Sequence, residues 1–389
     1  MASVELWTFE DAVEHVLDVF DLDNSTRNKR LARRSVLQAY RDIPNCRSWA
    51  YYYRRRTFAT SASYATGTVT YVHTGGTYER QLTLASGTWP TWAARGKVII
   101  ANVHYDVEDY KTTTVITLTA NSNPGANVAA LTAFTIYRSS YTLPADFRKL
   151  TRLIDTQQNT EIRVVTPDEL YALEGRAWRE PGTPLLAAIK NDGDYYGNLS
   201  LTFTPPSNTA ISYDLMYEAK PRDLYTEQYS TGTVSCSAAS TSVTGSSTVF
   251  ASTHVGAIIR FSADAVSLPT SLVGVRGDNA PLLNPFTAQR VIQAVTTTTA
   301  LTIDAALPAA ASGVKYTISD PIDLEAAAML TAFWRAAELE MAKLITRTDV
   351  PMREQLARTA LIRAMESDER QPPTRYSTPY GYAIPQITS

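Results

Sequence analysis

The sequence predicts an α+β protein: a discontinuous helical core with a β-hairpin, interrupted by two inserted small all-β modules, barrel or sandwich, related by internal duplication. Three observations predict it. Both ends of the chain carry apolar residues at helical spacing, the middle is rich in Thr, Ser, Gly and Val, and within that middle a series of strand-like motifs occurs twice in the same order.

The elements follow in turn. Thr8 is placed to cap a helix, with Asp11 three residues on, and Val13, Val16, Leu17 and Phe20 mark one face. Asn24 and Ser25 can cap a second helix that turns Ala32, Ser35, Val36, Ala39 and Tyr40 inward, and Pro44 stops it. The aromatic and β-branched run after Trp49 reads as extended. Near the other end, Leu330, Trp334, Ala337, Met341 and Leu344 repeat at helical steps, and Asp349 and Pro351 open a further helix carrying Met352, Leu356, Ala360 and Ala364. Residues 371–389 hold four Pro and three Tyr without any period. Such a stretch buries no core of its own and reads as an arm that orders only on a receiving surface, with Tyr376, Tyr380, Tyr382 and Ile384 as its docking residues.

The repeat begins with TGTV at 66–69 and again at 231–234. GKVII (96–100), a Thr-rich strand pair (106–118) and FTIY (134–137) follow the first copy; GAIIR (256–260), a second Thr-rich pair (290–303) and YTIS (316–319) follow the other. Each copy reads as five or six short strands. The alternating runs on either side of PPSNTA read as a hairpin. The resulting division is 1–58 as the N-terminal helical part of the core, 59–140 as the first module, 141–225 as the hairpin region, 226–320 as the second module, 321–370 as the C-terminal helices and 371–389 as the arm. Insertions of this kind sit at surface loops whose ends are close together.

The same residues argue against catalysis. Among 389 residues there are four histidines, His15, His73, His104 and His254, and two cysteines, Cys46 and Cys236, which read as free thiols. No zinc spacing, phosphate loop or nucleophile motif occurs. Asp192 and Asp194 read as a turn rather than a calcium loop. No enzyme, no cofactor and no metal are expected. No apolar run approaches the ~18 residues a membrane span needs, and the first fifteen residues lack the pattern of a signal peptide, so folding in a cytoplasm is expected. Net charge is −2, but it is unevenly laid out: seven acids and no base up to Asp23, then ten bases against one acid from Arg27 to Arg56. The two segments can pair within a subunit or head-to-tail between copies. Arg27, Arg30, Arg33 and Arg34 form a basic helix expected to face a neighbouring subunit or DNA.

One ordered series of short motifs then spans most of the chain: the N-terminal helical pair, an aromatic strand near Trp49, Tyr141, Leu143, Pro144, Asp146 and Phe147, the TPDEL of 166–170, Pro205 and Pro206, Tyr217 and Pro221, and a C-terminal amphipathic helix. The series resembles the head-to-tail connector, or portal adaptor, proteins of tailed bacteriophages. The resemblance implies a virion protein of the neck or tail, assembled in the host cytoplasm. Such a protein forms a dodecameric ring of its own copies beneath the portal protein, passes DNA without reading its sequence, and presents a surface to a tail or nozzle protein. A stopper, nozzle or tail-tube subunit is the first alternative. A host-surface or carbohydrate-binding protein is the second, with Trp89, Trp92 and Tyr105 of the first module as its aromatic platform.

Overall fold

The computed structural model describes residues 7–174, 180–191, 198–269, 286–325 and 329–370. They form an α+β protein with five α-helices and four β-sheets among the described residues. Two compact units arise: one from the residues up to Tyr52 and from Pro221 onward, the other from Tyr53–Lys220.

The first unit opens with α1 (Phe9–Val19). Thr8 caps it through a reciprocal pair of bonds with Asp11, each side chain accepting the other residue's backbone N–H. Helix α2 (Thr26–Asn45) starts on the Ser25 hydroxyl and carries Pro44 within its last turn. The chain then enters the second unit with β1 (Tyr53–Ala59) and a sheet of seven strands: β2 (Val69–Val72), β3 (Gln81–Leu84), β4 (Lys97–Ile100), β5 (Val103–Thr112), β6 (Val115–Leu118), β7 (Val128–Thr132) and β8 (Phe134–Tyr137). Their order is β7-β2-β3-β6-β5-β4-β8. Strands β7 and β8 are separated by one residue, Ala133, yet stand at opposite ends of that order, so the sheet curls until its ends adjoin.

The rest of the second unit is β9 (Ser140–Thr142), β10 (Phe147–Asp155), β11 (Thr160–Glu161), β12 (Arg163–Val165), α3 (Pro167–Glu174), β13 (Leu186–Asn191), β14 (Leu199–Thr204) and β15 (Ser212–Ala219). Two four-stranded sheets result, β1-β15-β10-β11 and β12-β13-β14-β9. The expected hairpin around PPSNTA is therefore wrong: β14 pairs with β13 and β9, and β15 with β1 and β10. Pro205 and Pro206 have no N–H with which to begin a ladder between the two runs. The strands instead meet face to face, the Phe203 ring stacked on Tyr213 at 4.9 Å and Phe58 against both. Each strand is buried on both faces for most of its length, a pattern that alternation alone does not separate from a one-sided hairpin.

Returning to the first unit, the chain forms β16 (Thr233–Cys236), β17 (Ser242–Ser246), β18 (Ile258–Phe261), β19 (Ala288–Thr297), β20 (Ala300–Ile303), β21 (Ala311–Val314) and β22 (Tyr316–Ser319). Their order, β21-β16-β17-β20-β19-β18-β22, is that of the earlier sheet strand for strand. Both sheets have seven strands rather than five or six. Val107 pairs with Leu118 and Ile292 with Ile303, and each of these ladders has two register shifts, at corresponding steps. By their pairing to the last strand, Val98 and Ile100 answer to Ile259 and Phe261, so the GKVII and GAIIR motifs are offset by one residue.

Helices α4 (Leu330–Leu344) and α5 (Val350–Arg370) complete the first unit. One apolar core joins Val13, Val16 and Leu17 of α1, Val36, Ala39 and Ile43 of α2, and Phe333, Ala337 and Met341 of α4, with Trp49 and Tyr52 fully enclosed. The second curled sheet is tied to this helical layer by polar groups. Arg260 of β18 is 2% exposed and donates two bonds, of 2.8 and 2.7 Å, to the Asp11 carboxylate, itself 1% exposed. Beside it Thr317 Oγ1 donates to Glu10 at 2.9 Å, and the Glu10 N–H donates to Ser319 Oγ at 3.1 Å. Asp320 is wholly buried; it accepts from Arg222 and from the N–H groups of Tyr225 and Thr226, while its carbonyl accepts from Phe9 N. Gly256, at φ +80°, leaves room for the Arg222 guanidinium that a side chain would occupy. The second curled sheet is thus fastened along α1.

Two outcomes follow from this junction. Arg260→Met leaves a buried carboxylate without its cation and should cost roughly 3–5 kcal/mol in urea unfolding. Adding Asp11→Asn, which keeps an acceptor for the Thr8 N–H, should restore more than half of that loss; a double variant no more stable than the single one would show that the pair is not what holds the junction. Burial pushes the Glu10 carboxyl up to about 7 against the hydrogen bond from Thr317. A carboxyl raised in the folded state stabilises fully below its unfolded value and loses that contribution as pH rises through about 7. Glu10→Gln should therefore remove a decline of roughly 1–3 kcal/mol between pH 4.5 and 8, read as the difference between the two proteins' stability curves.

Candidate functional site

Among the described residues the titratable groups that could carry chemistry do not converge. His15 Nε2 lies 3.4 Å from Glu338, His73 Nδ1 is 3.1 Å from the Tyr71 hydroxyl, His104 Nδ1 is 2.9 Å from that of Tyr137, and His254 Nδ1 meets the Ala251 N–H. Among the described residues no three His, Cys, Asp or Glu side chains gather as a metal site. Asp192 and Asp194 lie outside the described residues. Glu338 is a buried carboxylate within hydrogen-bond reach of a histidine. Burial would raise it, but hydrogen bonds from His15 and Arg335 hold it below the usual carboxylate range. With Arg353 also 3.2 Å away, it is a satisfied anion and not a poised acid. Cys46 and Cys236 are both free thiols. Trp89 is 2% exposed and packs on Phe134 at 5.0 Å, which removes it from any surface platform for sugars. No described helix is long and apolar enough to cross a membrane.

What the described surface does carry is a cationic face on α2. Arg27, Arg30 and Arg34 recur at steps of three and four, and Arg41 follows seven residues later. At 100° per residue these four fall within one sector of ~60°, about 21 Å long at 1.5 Å per residue. That sector lies opposite Ala32, Val36, Ala39 and Ile43, which pack into the core. All four arginines are exposed, and none makes an ion pair among the described residues. The helix's one acid, Asp42, takes the side-chain amide of Gln38 instead.

Two expectations change here. The two acids in the first turn of α1 do not face this helix: Asp11 is spent on Arg260 and Glu10 accepts from Thr317, while Asp23 accepts from Asn28 at the start of α2. Arg33 leaves the predicted set: it points away from the other three and forms an ion pair with Glu227. Arg41 joins in its place, and its sevenfold step from Arg34 was available in the sequence. The arm residues Tyr376, Tyr380, Tyr382 and Ile384 lie outside the described residues.

An exposed row of guanidiniums on a stiff helix, without an ion-pair partner among the described residues, is a surface for a polyanion or for an acidic neighbour. No protein-family model matches the chain, and no curated protein sequence matches it.

The row makes a quantitative expectation. Replacing Arg27, Arg30, Arg34 and Arg41 together by Gln should leave the melting temperature nearly unchanged, since exposed substitutions cost within about 0.5 kcal/mol. It should flatten the salt dependence of binding to duplex DNA by up to about 0.9 in log–log slope per lost phosphate contact. Arg33→Gln should do the reverse, leaving the slope alone and lowering stability by about 1 kcal/mol through the stranded Glu227.

Proposed function

We propose that this chain is a structural virion subunit, a head-to-tail adaptor that forms a dodecameric ring below a portal protein, extends the channel for passing DNA and docks a tail or nozzle protein. The observation that carries the reading is the division of labour within the first unit. Helices from the two ends of the sequence share one apolar core, while Arg27, Arg30, Arg34 and Arg41 of α2 stand exposed with no ion-pair partner among the described residues. A ring subunit needs such a rigid helical body with an unneutralised charged face, because each copy meets a different surface of the next around a closed ring. The ordered series of motifs seen in the sequence points the same way.

On this reading the helices form a discontinuous core, and the two curled sheets arose by duplication of one inserted module. Support for the duplication is their identical strand order, the single-residue link between the terminal strands, and the matching register shifts of β5/β6 and β19/β20. Strand order is set by long-range pairing, so its agreement over seven strands is more specific than the short motif matches. After duplication the copies diverged on their outer faces: Ile99 stands where the second module has Arg260.

The test is to mix purified protein with purified portal rings and view the product by negative-stain microscopy. Twelve copies stacked coaxially on each portal are expected, and few rings without it. Rings that form but decorate only tail components would turn the assignment to a stopper or nozzle, and the absence of any portal or tail binding would refute the virion reading.

A further inference from the structure

Helix α5 is anchored along one side. Its inner face turns Ala360, Leu361 and Ala364 to the shared core. Charge pins it at both ends, through Arg353 to Glu338 and Asp349 and through Asp368 to Arg47. The outer face holds three large apolar side chains in water: Met352 is 57% exposed, Leu356 45% and Ile362 48%. Gln355, Thr359, Arg363 and Glu366 are exposed beside them. At ~100° per residue these seven fill a sector of ~120° centred on Thr359. The side chains of Gln355, Arg363 and Glu366 have no hydrogen-bond or ion-pair partner among the described residues, while the Thr359 hydroxyl donates to Gln355 O at 2.8 Å.

This face matches itself when the helix is reversed about Thr359. Leu356 then exchanges with Ile362, Gln355 with Arg363 and Met352 with Glu366, because the members of each pair stand equally far from Thr359 along the axis and on opposite sides of it. A two-fold axis through Thr359, perpendicular to the helix, therefore lays Leu356 of one copy on Ile362 of the other. That apolar contact occurs twice, about 4.5 Å of helix to either side of the axis. The Gln355 amide meets the Arg363 guanidinium, and the Met352 thioether lies along the stem of Glu366. At the crossing point Thr359 is small, and its hydroxyl is satisfied within its own helix, so covering it strands no donor. A parallel pair would instead bring Arg363 against Arg363 and Glu366 against Glu366, placing like charges together.

We infer that the outer face of α5 is a self-docking surface, on which a second copy of this chain packs its own α5 antiparallel and two-fold symmetric about Thr359. With one cation and one carboxylate among its seven residues, the face suits neither a polyanion nor a strongly basic partner. A single helix face covers well under the ~800 Å² per partner of a stable complex, so the association is weak and reversible. The inference does not rest on the adaptor reading. Contacts around a closed ring are head-to-tail and use no two-fold axis, so either can fail alone.

The test is sedimentation velocity on the full chain over a wide range of concentration, where a monomer–dimer equilibrium is expected. Leu356→Glu should weaken it about tenfold or more, by setting a carboxylate on Ile362 of the other copy. Adding Ile362→Lys should recover most of that loss, since the two new charges then face each other. Both positions are exposed, so every variant should melt as the parent does. In a Cys46→Ser background, which removes the exposed thiol, Leu356→Cys and Ile362→Cys proteins mixed under oxidation should form a disulfide with one another and not each with itself. The proposal is overturned if the parent stays monomeric throughout, if Leu356→Glu associates as the parent does, if Ile362→Lys brings no recovery, or if the Leu356→Cys protein cross-links chiefly to itself. Association lost on replacing Arg27, Arg30, Arg34 and Arg41 by Gln but unaffected by Leu356→Glu would overturn it in favour of a contact through α2.

Discussion

Arg260 and Asp11 stand 249 residues apart in sequence and meet with both side chains almost entirely removed from water. Neither charge could be buried alone, since an isolated ion in a low-dielectric interior costs several kcal/mol. The pair therefore fixes two things at once. It sets the second curled sheet against the N-terminus of α1, and it commits the capping residue of that helix to a tertiary role. Asp320, one residue beyond the last strand, repeats the arrangement, gathering Arg222 and two backbone N–H groups where the chain leads back toward the helices. Apolar packing of α1, α2 and α4 supplies the bulk of the core, but it is non-directional. These buried carboxylates make the junction specific to one register.

The same commitment shapes the surface. Had Glu10 and Asp11 stayed in solvent, the acidic first helix would have been the natural counterweight to the basic second one. With both turned to the sheet, Arg27, Arg30, Arg34 and Arg41 on the outer face of α2 have no ion-pair partner among the described residues, and the uneven charge of the sequence persists on this face. Net charge near zero says little about binding when the acids are consumed inside. Charge on an edge strand behaves in the same way: of three consecutive arginines in β1, alternation gives Arg55 to an internal carboxylate and sends its neighbours to the other face.

The two seven-stranded sheets show how one scaffold serves two environments. Inward positions are alike, with Val98 and Ile100 in one and Ile259 and Phe261 in the other. Outward positions differ: Arg260 stands level with Ile99 and Ser319 with Tyr137, and Arg260 and Ser319 both take part in fastening the second sheet to a helix. The second sheet is thus joined to the helical core by its own contacts.

The helices were legible because their signals are local. The Thr8–Asp11 capping box, the apolar face through Val13, Val16 and Leu17, and the spacing of Ala32, Val36 and Ala39 are all decided within a few turns, and the structure places each of them as the spacing predicts. Short strands were visible for the same reason, as were the free thiols and the basic helix. Tertiary structure decided what depends on distant partners. The strands flanking Pro205–Pro206 look like a hairpin in sequence because period two describes each strand and not its neighbour, and only the sheets reveal that they lie in different ones. Which of the α2 arginines are engaged was only half legible: helical phase sets Arg33 apart from Arg34, but Glu227 across the fold is what pairs with it. Arg260 gave no sign at all, because a lone arginine in a strand is ordinarily solvated and acquires its meaning from a carboxylate 249 residues away. Sequence by itself determined what each segment could become; the desolvation of paired charges, which exists only once the chain is folded, determined how the segments were joined.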